Sequence, residues 1–174
     1  MGYNLSIGEA KISWSEDCVS IDCDEVKLDY APAYGDPTDF TNQRWPSYTT
    51  WHNVMSNLDL MDVMYSEGNH GASDFEWQGK TYYPLLANHP GAAPITKAHV
   101  EVVEMKLDNY KRKFPNHIAQ YPPLKDGVVK TWVNTEEDYV KDARYDGNLC
   151  RGEWLLFWLK WAIENCKYPV FVNS

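Results

Sequence analysis

The stretch of sequence that decides the fold is residues 149–167, LCRGEWLLFWLKWAIENCK. At 100° per residue, four of its charged side chains fall in one stripe about 60° wide, into which Phe157 intrudes: Glu153, Lys160, Glu164 and Lys167. The rest of the helix surface is mostly apolar and includes Trp154, Trp158 and Trp161. Surface helices have a narrower apolar face. We therefore predict a helix enclosed by the rest of the fold, with its tryptophans directed into the core.

The size and composition of the chain are those of a globular protein. It has 174 residues, of which 44% are hydrophobic and 14% aromatic, and a chain of this length can bury about 70% of its unfolded surface. We expect one globular domain spanning residues 1–174. Eight tryptophans and twelve tyrosines are expected mainly to pack in the core, the alternative being a cleft lined by aromatic rings.

Alternating apolar and polar residues near the N-terminus predict antiparallel strands with one buried face and one acidic face. The alternation covers Tyr3 to Ile7, a second run ending at Trp14, and residues 19–23 and 26–30. Later strand signals are a hairpin around Gln78-Gly79, a run at 128–133 and a final run at 170–172.

Helical patterns cover three longer segments. One begins at Thr49 or Thr50 and ends near Tyr65, one runs from Ile95 to Phe114, and the third is the stretch at 149–167; a short helix is expected from Asn134 or Thr135. The segments at 31–47 and 66–93 are expected to be long ordered loops. The predicted fold class is therefore α+β, an antiparallel sheet packed against about three longer helices.

The charge is distributed unevenly, and this bears on possible partners. Residues 1–93 hold fourteen acidic and four basic side chains, whereas residues 94–174 hold eleven and twelve. This balance argues against nucleic acid as a partner, and no apolar run is long enough to span a membrane. It favours a protein partner with a basic surface, although solubility alone would also explain it. The acidic residues predicted to bind such a partner are Asp17, Asp22, Asp24, Glu25 and Asp29.

Cysteine usage and the N-terminus indicate a cytoplasmic protein. Four cysteines are present without a CxxC pair, so neither a zinc site nor a redox motif is predicted. The first residues lack the basic and apolar regions of a signal peptide. We therefore expect free thiols in a reducing compartment.

Motifs that would indicate catalysis are missing from the sequence. There is no GxSxG, no phosphate-binding loop and no dinucleotide fingerprint, and the five histidines lack metal-ligand spacing. No metal and no cofactor are predicted, and the chain is not expected to be an enzyme. An enzyme whose motifs are not recognisable stays open as an alternative.

A polar line crosses the apolar side of the helix predicted at 95–114. His99, Lys106 and Lys113 are spaced by seven residues and therefore nearly aligned. A buried ammonium group needs a partner, and Asp62 on the preceding helix is the predicted one. Two interpretations remain open: an internal ion pair, with Lys113 extending off the helix end, or a cleft where His99 and Lys106 face an anionic ligand.

Aromatic side chains in and beside the two long loops suggest a further binding surface. Trp45 and Trp77 are candidate anchors, and Arg44 is a candidate bidentate donor. The residues predicted to bind a ligand are thus His99, Lys106, Asp62, Trp45, Arg44 and Trp77.

Two functional hypotheses follow from the sequence. The first is a non-catalytic intracellular binding protein of the inhibitor or immunity type, whose acidic N-terminal half engages a basic macromolecular partner. The second is a small-ligand-binding protein or enzyme with an aromatic-lined cleft containing His99 and Lys106.

Overall fold

A computed structural model describes residues 1–33, 40–65, 75–120 and 142–174. These residues form eight strands and four helices: β1 Leu5–Glu9, β2 Lys11–Trp14, β3 Val19–Asp22, β4 Gln43–Arg44, α1 Tyr48–Asn57, α2 Met61–Met64, β5 Phe75–Trp77, β6 Lys80–Tyr82, β7 Gly91–Pro94, α3 Lys97–Lys113, α4 Gly147–Asn165 and β8 Pro169–Asn173. The predicted α+β class with antiparallel sheets and three longer helices is confirmed. The strand expected at 128–133 and the short helix expected after it lie outside the described residues.

The main sheet has the order β4-β1-β8-β7, and its strands are antiparallel. Ile7 of β1 pairs with Phe171 of β8, which pairs in turn with Ala93 of β7, and all three side chains are buried in the core. The opposite face carries Val170 and Val172, which form a small separate cluster. Strands β4 and β7 were not predicted.

The helix predicted from residues 149–167 is α4, and it packs against β1, α1 and α3. Trp154 and Trp158 are fully buried and Trp161 is half-buried, so the predicted direction of the tryptophans is confirmed. The Trp154 indole N–H donates to the carbonyl oxygen of Thr41 at 2.9 Å, which satisfies its one polar atom inside the core. The helix is therefore the central core element.

The side of α4 that faces α3 combines charges with a glycine. Glu153 pairs with Lys111 at 3.1 Å, and Lys160 pairs with Glu104. A Cβ added at Gly152 would lie 2.6 Å from Cδ1 of Leu107. The missing side chain therefore lets the two helices approach closely.

The long helix predicted from Thr49 or Thr50 to Tyr65 is wrong in two respects. Ser47 caps its start, because the Ser47 hydroxyl accepts from the Thr50 N–H at 3.1 Å. The helix then stops at Asn57, Asp59 takes φ 58°, and the short α2 follows. An aspartate tolerates this left-handed conformation better than most residues do.

The predicted strand at 26–30 is also wrong. Instead of a ladder, Lys27 forms only an isolated bridge with Thr41. Beside this bridge, the Asn42 N–H donates to the Val26 carbonyl oxygen at 3.1 Å. The side chain of Asn42 adds further bonds: its Oδ1 accepts from the Val26 N–H at 2.8 Å, and its Nδ2 donates to the carbonyl oxygens of Ile7 and Asp24.

The hairpin of β2 and β3 departs most from expectation. It forms a separate two-stranded sheet, and all eight of its residues are exposed. The predicted buried face is therefore exposed, because the core lies on the other side of the main sheet.

Candidate functional site

The hairpin presents one apolar face, which we call the hairpin face. Ile12 pairs with Ile21, and Trp14 pairs with Val19. Directly paired residues share a side of an antiparallel ladder, and side chains two apart on a strand also share it. The exposed fractions of the four are 56% for Ile12, 77% for Trp14, 51% for Val19 and 38% for Ile21. One side of the hairpin is thus an apolar surface open to solvent.

The hairpin is held by its own hydrogen bonds. On its polar side, the hydroxyl oxygens of Ser13 and Ser20 lie 2.5 Å apart. In the turn, the Ser15 N–H donates to the Cys18 carbonyl oxygen at 2.9 Å, and the Cys18 N–H donates to the Ser15 hydroxyl at 3.2 Å. These bonds are local, and they order the hairpin although its side chains are not part of the main core cluster.

The acidic residues predicted from the sequence lie in and after the hairpin, and all five are exposed. Asp17 is in the turn, Asp22 ends β3, and Asp24, Glu25 and Asp29 follow it. Asp24 pairs with Lys11 at 2.5 Å and Glu25 with Lys27 at 3.4 Å. Asp17, Asp22 and Asp29 form no ion pair with any described residue, so the surroundings of the hairpin keep a negative charge.

A groove of about 440 Å³ separates β3 from the main sheet. Val19 and Ile21 line one side, and Ala92 and Val172 line the other. The hairpin face therefore continues into a partly apolar recess on the outer side of β7 and β8.

His99, predicted to face a ligand, is fully buried. Its Nδ1 accepts from the Thr96 N–H at 3.0 Å, and its Nε2–H donates to the Tyr83 carbonyl oxygen at 2.7 Å. Burial lowers its pKa, an effect that the Tyr83 hydrogen bond opposes without overcoming it. Both ring nitrogens thus hold the start of α3 and the chain before it together.

Lys106 pairs with Asp59, not with Asp62 as predicted. Asp62 is exposed, and its carboxylate accepts from the N–H of the adjacent Val63 at 3.0 Å. Lys113 extends along Phe114, with Nζ 5.4 Å from the ring centroid. Lys106 therefore has a carboxylate partner, but the Asp59 side chain is 82% exposed, so the pair lies at the surface and is not the internal ion pair that was predicted.

The loop candidates occupy three different environments. Arg44 is buried, with its guanidinium 5.1 Å from the Trp154 ring centroid and its Nη1–H donating to the Gln43 carbonyl oxygen. Trp77 is half-buried, and its indole N–H donates to Glu101 at 2.9 Å. Trp45 is 62% exposed. The structure does not bring the six predicted ligand residues together, and their binding role stays a prediction.

Sequence reasoning missed a chain of hydrogen bonds at one end of the main sheet. The Tyr48 hydroxyl lies 2.9 Å from His89 Nε2, and His89 Nδ1 lies 2.7 Å from Asn173 Oδ1. Because Asn173 Nδ2 donates to the carbonyl oxygens of Asn88 and Gly91, Oδ1 accepts and His89 Nδ1 carries the proton. This chain ties β8 to α1 and to the loop before β7.

Sequence reasoning also missed a histidine held by a buried aspartate, His117 and Asp146, at 2.6 Å. Asp146 is the N-cap of α4, where its carboxylate accepts from the N–H groups of Asn148 and Leu149. An aspartate directly before a helical pattern is a recognised N-cap signal and could have identified Asp146. His117 is separated from it by 29 residues, and no sequence pattern connects them.

Within the described ranges, no three His, Cys, Asp or Glu side chains are grouped as a metal site would require. No described helix has the length and apolar character needed to cross a bilayer. Comparison with protein-family models, with curated proteins and with solved structures found no match.

Proposed function

We propose that this protein is a non-catalytic binding protein that docks its hairpin face onto a protein partner. The observation that supports this is an exposed apolar surface of four side chains, Ile12, Trp14, Val19 and Ile21, with carboxylates beside it. The partner surface would have an apolar centre bordered by lysines and arginines. A cytoplasmic inhibitor or immunity type of protein fits this description, and the four cysteines are free thiols.

The arrangement of the apolar residues distinguishes the hairpin face from ordinary surface. Single exposed apolar side chains are common and need no explanation, whereas contiguous exposed patches mark interaction sites. Trp14 is the most exposed of the four, and tryptophan is enriched among the residues that dominate interface energy. No third strand joins the hairpin in the described part of the chain, so its backbone edges are also accessible.

Charge favours a basic partner over a second copy of this chain. The net charge is -9; Asp17 lies in the turn of the hairpin and Asp22 on its polar side, both without cationic partners among the described residues. Two copies meeting through this face would bring like charges together, which is costly, whereas a basic surface would be attracted and steered. An anionic membrane surface would be repelled for the same reason.

The test compares two double variants as immobilised baits in extract of cells that express the protein. Trp14→Ser/Ile21→Ser removes half of the hairpin face, and Trp45→Ser/Tyr30→Ser removes two exposed aromatic side chains outside it. We expect the wild type and the second variant to retain the same protein and the first variant to lose it. Purified partner should then bind at least tenfold more weakly to the first variant and more weakly at high salt.

Two results would contradict the proposal. One is that both double variants reduce the retention of the partner equally, or that high salt leaves its retention by the wild type unchanged. The other is a wild-type dimer in sedimentation that Trp14→Ser/Ile21→Ser dissociates, because the hairpin face would then be occupied by a second copy.

A further inference from the structure

A second cavity, of about 400 Å³, lies where the end of α3 meets the start of α4, and no residue of the hairpin lines it. Its walls include the apolar side chains of Phe114, Ile118 and Leu149. Its polar side chains include Lys111, His117 and Glu153. This volume lies within the range of small-molecule sites.

The buried Asp146 fixes the ring of His117. Its Oδ2 accepts from the Tyr110 hydroxyl and lies 2.6 Å from His117 Nδ1, and its Oδ1 accepts from two backbone N–H groups at the start of α4. Burial raises the pKa of Asp146, but the hydrogen bonds outweigh burial and the pKa is lowered. Asp146 is therefore an ionised acceptor at neutral pH, and His117 Nδ1 carries a proton.

The other ring nitrogen of His117 is left for a ligand. Among the described residues no hydrogen bond involves Nε2, and 39% of the side chain is exposed. Phe114 stacks on the ring, with centroids 4.7 Å apart and planes 15° from parallel. Since Asp146 and Phe114 fix its orientation, the imidazole is preorganised on the cavity wall.

We propose that this cavity binds a small carboxylate with an apolar body. The ligand carboxylate would accept a hydrogen bond from His117 Nε2–H. A protonated imidazole would then bridge the ligand and Asp146, and binding to a neutral imidazole would take up one proton from solvent. The apolar body would lie on Phe114, Ile118 and Leu149. Charge supports an anion at this end of α3, because its last turn contains Lys111, Arg112 and Lys113.

The groups around His117 include one that would attract an anionic ligand, one that would repel it and one that is neutral. Lys111 would attract the ligand, but it already pairs with Glu153 at 3.1 Å. Glu153 would repel the ligand and competes for the same ammonium group. Tyr110 stays neutral, because burial and its hydrogen bond to Asp146 raise its pKa to about 12. The carboxylate could belong to a free small acid or to the C-terminus of a peptide.

The experiment titrates the full chain with benzoate and follows the His117 ring protons by NMR. Benzamide serves as the uncharged control of similar shape, and N-acetylphenylalanine represents a peptide C-terminus. We expect benzoate to shift the His117 resonances saturably and benzamide to leave them unchanged. Tighter binding of N-acetylphenylalanine would identify the peptide source, and tighter binding of benzoate the free acid.

Two variants in the same cavity should act in opposite directions. His117→Gln removes the imidazole and should weaken benzoate binding roughly tenfold or more, the value of a charged hydrogen bond. Glu153→Gln removes the repelling charge and frees Lys111, so it should tighten binding about twofold to fivefold. His52→Gln, at an exposed position of α1, is the matched control and should bind as wild type does.

The proposal is overturned if benzamide and benzoate cause the same shifts, or if His117→Gln binds benzoate as wild type does. It is also overturned if both cavity variants weaken binding equally, because general damage to the fold would then explain the loss. It does not depend on the hairpin: Trp14→Ser/Ile21→Ser should leave benzoate binding unchanged.

Discussion

At the scale of single residues, three histidines show how neighbours determine what a side chain can do. His99 uses both ring nitrogens inside the fold, and His89 is held between Tyr48 and Asn173. His117 is oriented through Nδ1 alone, and 39% of its side chain is exposed. The proposed ligand contact is therefore at His117, where sequence periodicity had pointed to His99.

The buried His99 predicts a pH dependence of stability. Its pKa is lowered from 6.5 in the folded protein, so the unfolded chain binds the additional proton first as pH falls. The stability linked to His99 is complete above about pH 6.5. It is lost as pH falls towards the lowered pKa, by up to about 1.4 kcal/mol per pH unit.

Urea unfolding between pH 5 and 7.5 measures this slope. His99→Gln should be less stable than wild type and should have a flatter profile, because the titrating ring is gone. His52→Gln should keep the wild-type slope. An unchanged slope in His99→Gln would show that other groups cause the acid sensitivity.

At the scale of elements, α4 and the hairpin are both rich in apolar residues and have opposite roles. Trp154 of α4 is fully buried, and its ring meets Trp51 of α1 edge to face with centroids 6.3 Å apart. Trp14 of β2 has three quarters of its surface in solvent. The buried Trp154 therefore stabilises the fold, whereas the exposed Trp14 is available for binding.

Alanine substitution of these two tryptophans should separate stability from binding. Trp154→Ala should lower the free energy of unfolding by about 3–5 kcal/mol, because it opens a cavity and removes a core hydrogen bond. Trp14→Ala should change it by less than about 0.5 kcal/mol. Chemical denaturation of the two variants side by side measures the difference, and a loss above about 2 kcal/mol in Trp14→Ala would show that the hairpin supports the core.

At the scale of the whole molecule, the hairpin is an addition to the outer side of the main sheet. Its residues are absent from the main core cluster, and Lys11 pairs directly with Asp22 across its base. A two-residue Asn-Gly turn can therefore replace residues 12–21 and close a minimal hairpin.

The shortened protein should keep one cooperative unfolding transition and lose about 1 kcal/mol of stability or less. It should also lose the partner that the wild type binds, while benzoate binding at His117 is unchanged. Circular dichroism during urea unfolding, together with the bait experiment, checks both outcomes. An unfolded product would show that the hairpin is required for the fold.

Features that depend on neighbouring residues could be predicted from the sequence, whereas features that depend on pairing with distant residues could not. The bounds of α3 and α4, the hairpin of β5 and β6 and the final strand follow local periodicity and turn residues. The two-residue β4 and the proline-ended β7 have no such pattern. They are strands because β4 pairs with β1 and β7 pairs with β8. The aspartate that meets Lys106 was missed for a similar reason: the break at Asp59 changes which carboxylate faces α3.

The sequence by itself determined the α+β class, the central helix with its buried tryptophans, and the acidic character around the hairpin. These depend on composition and on repeats of two and 3.6 residues. Only the tertiary structure decided that the alternating face of Ile12, Trp14, Val19 and Ile21 is open to solvent, and that His117 meets Asp146. The physical reason is that an alternating pattern shows that a strand has two unlike faces, whereas the positions of other elements decide which face is covered.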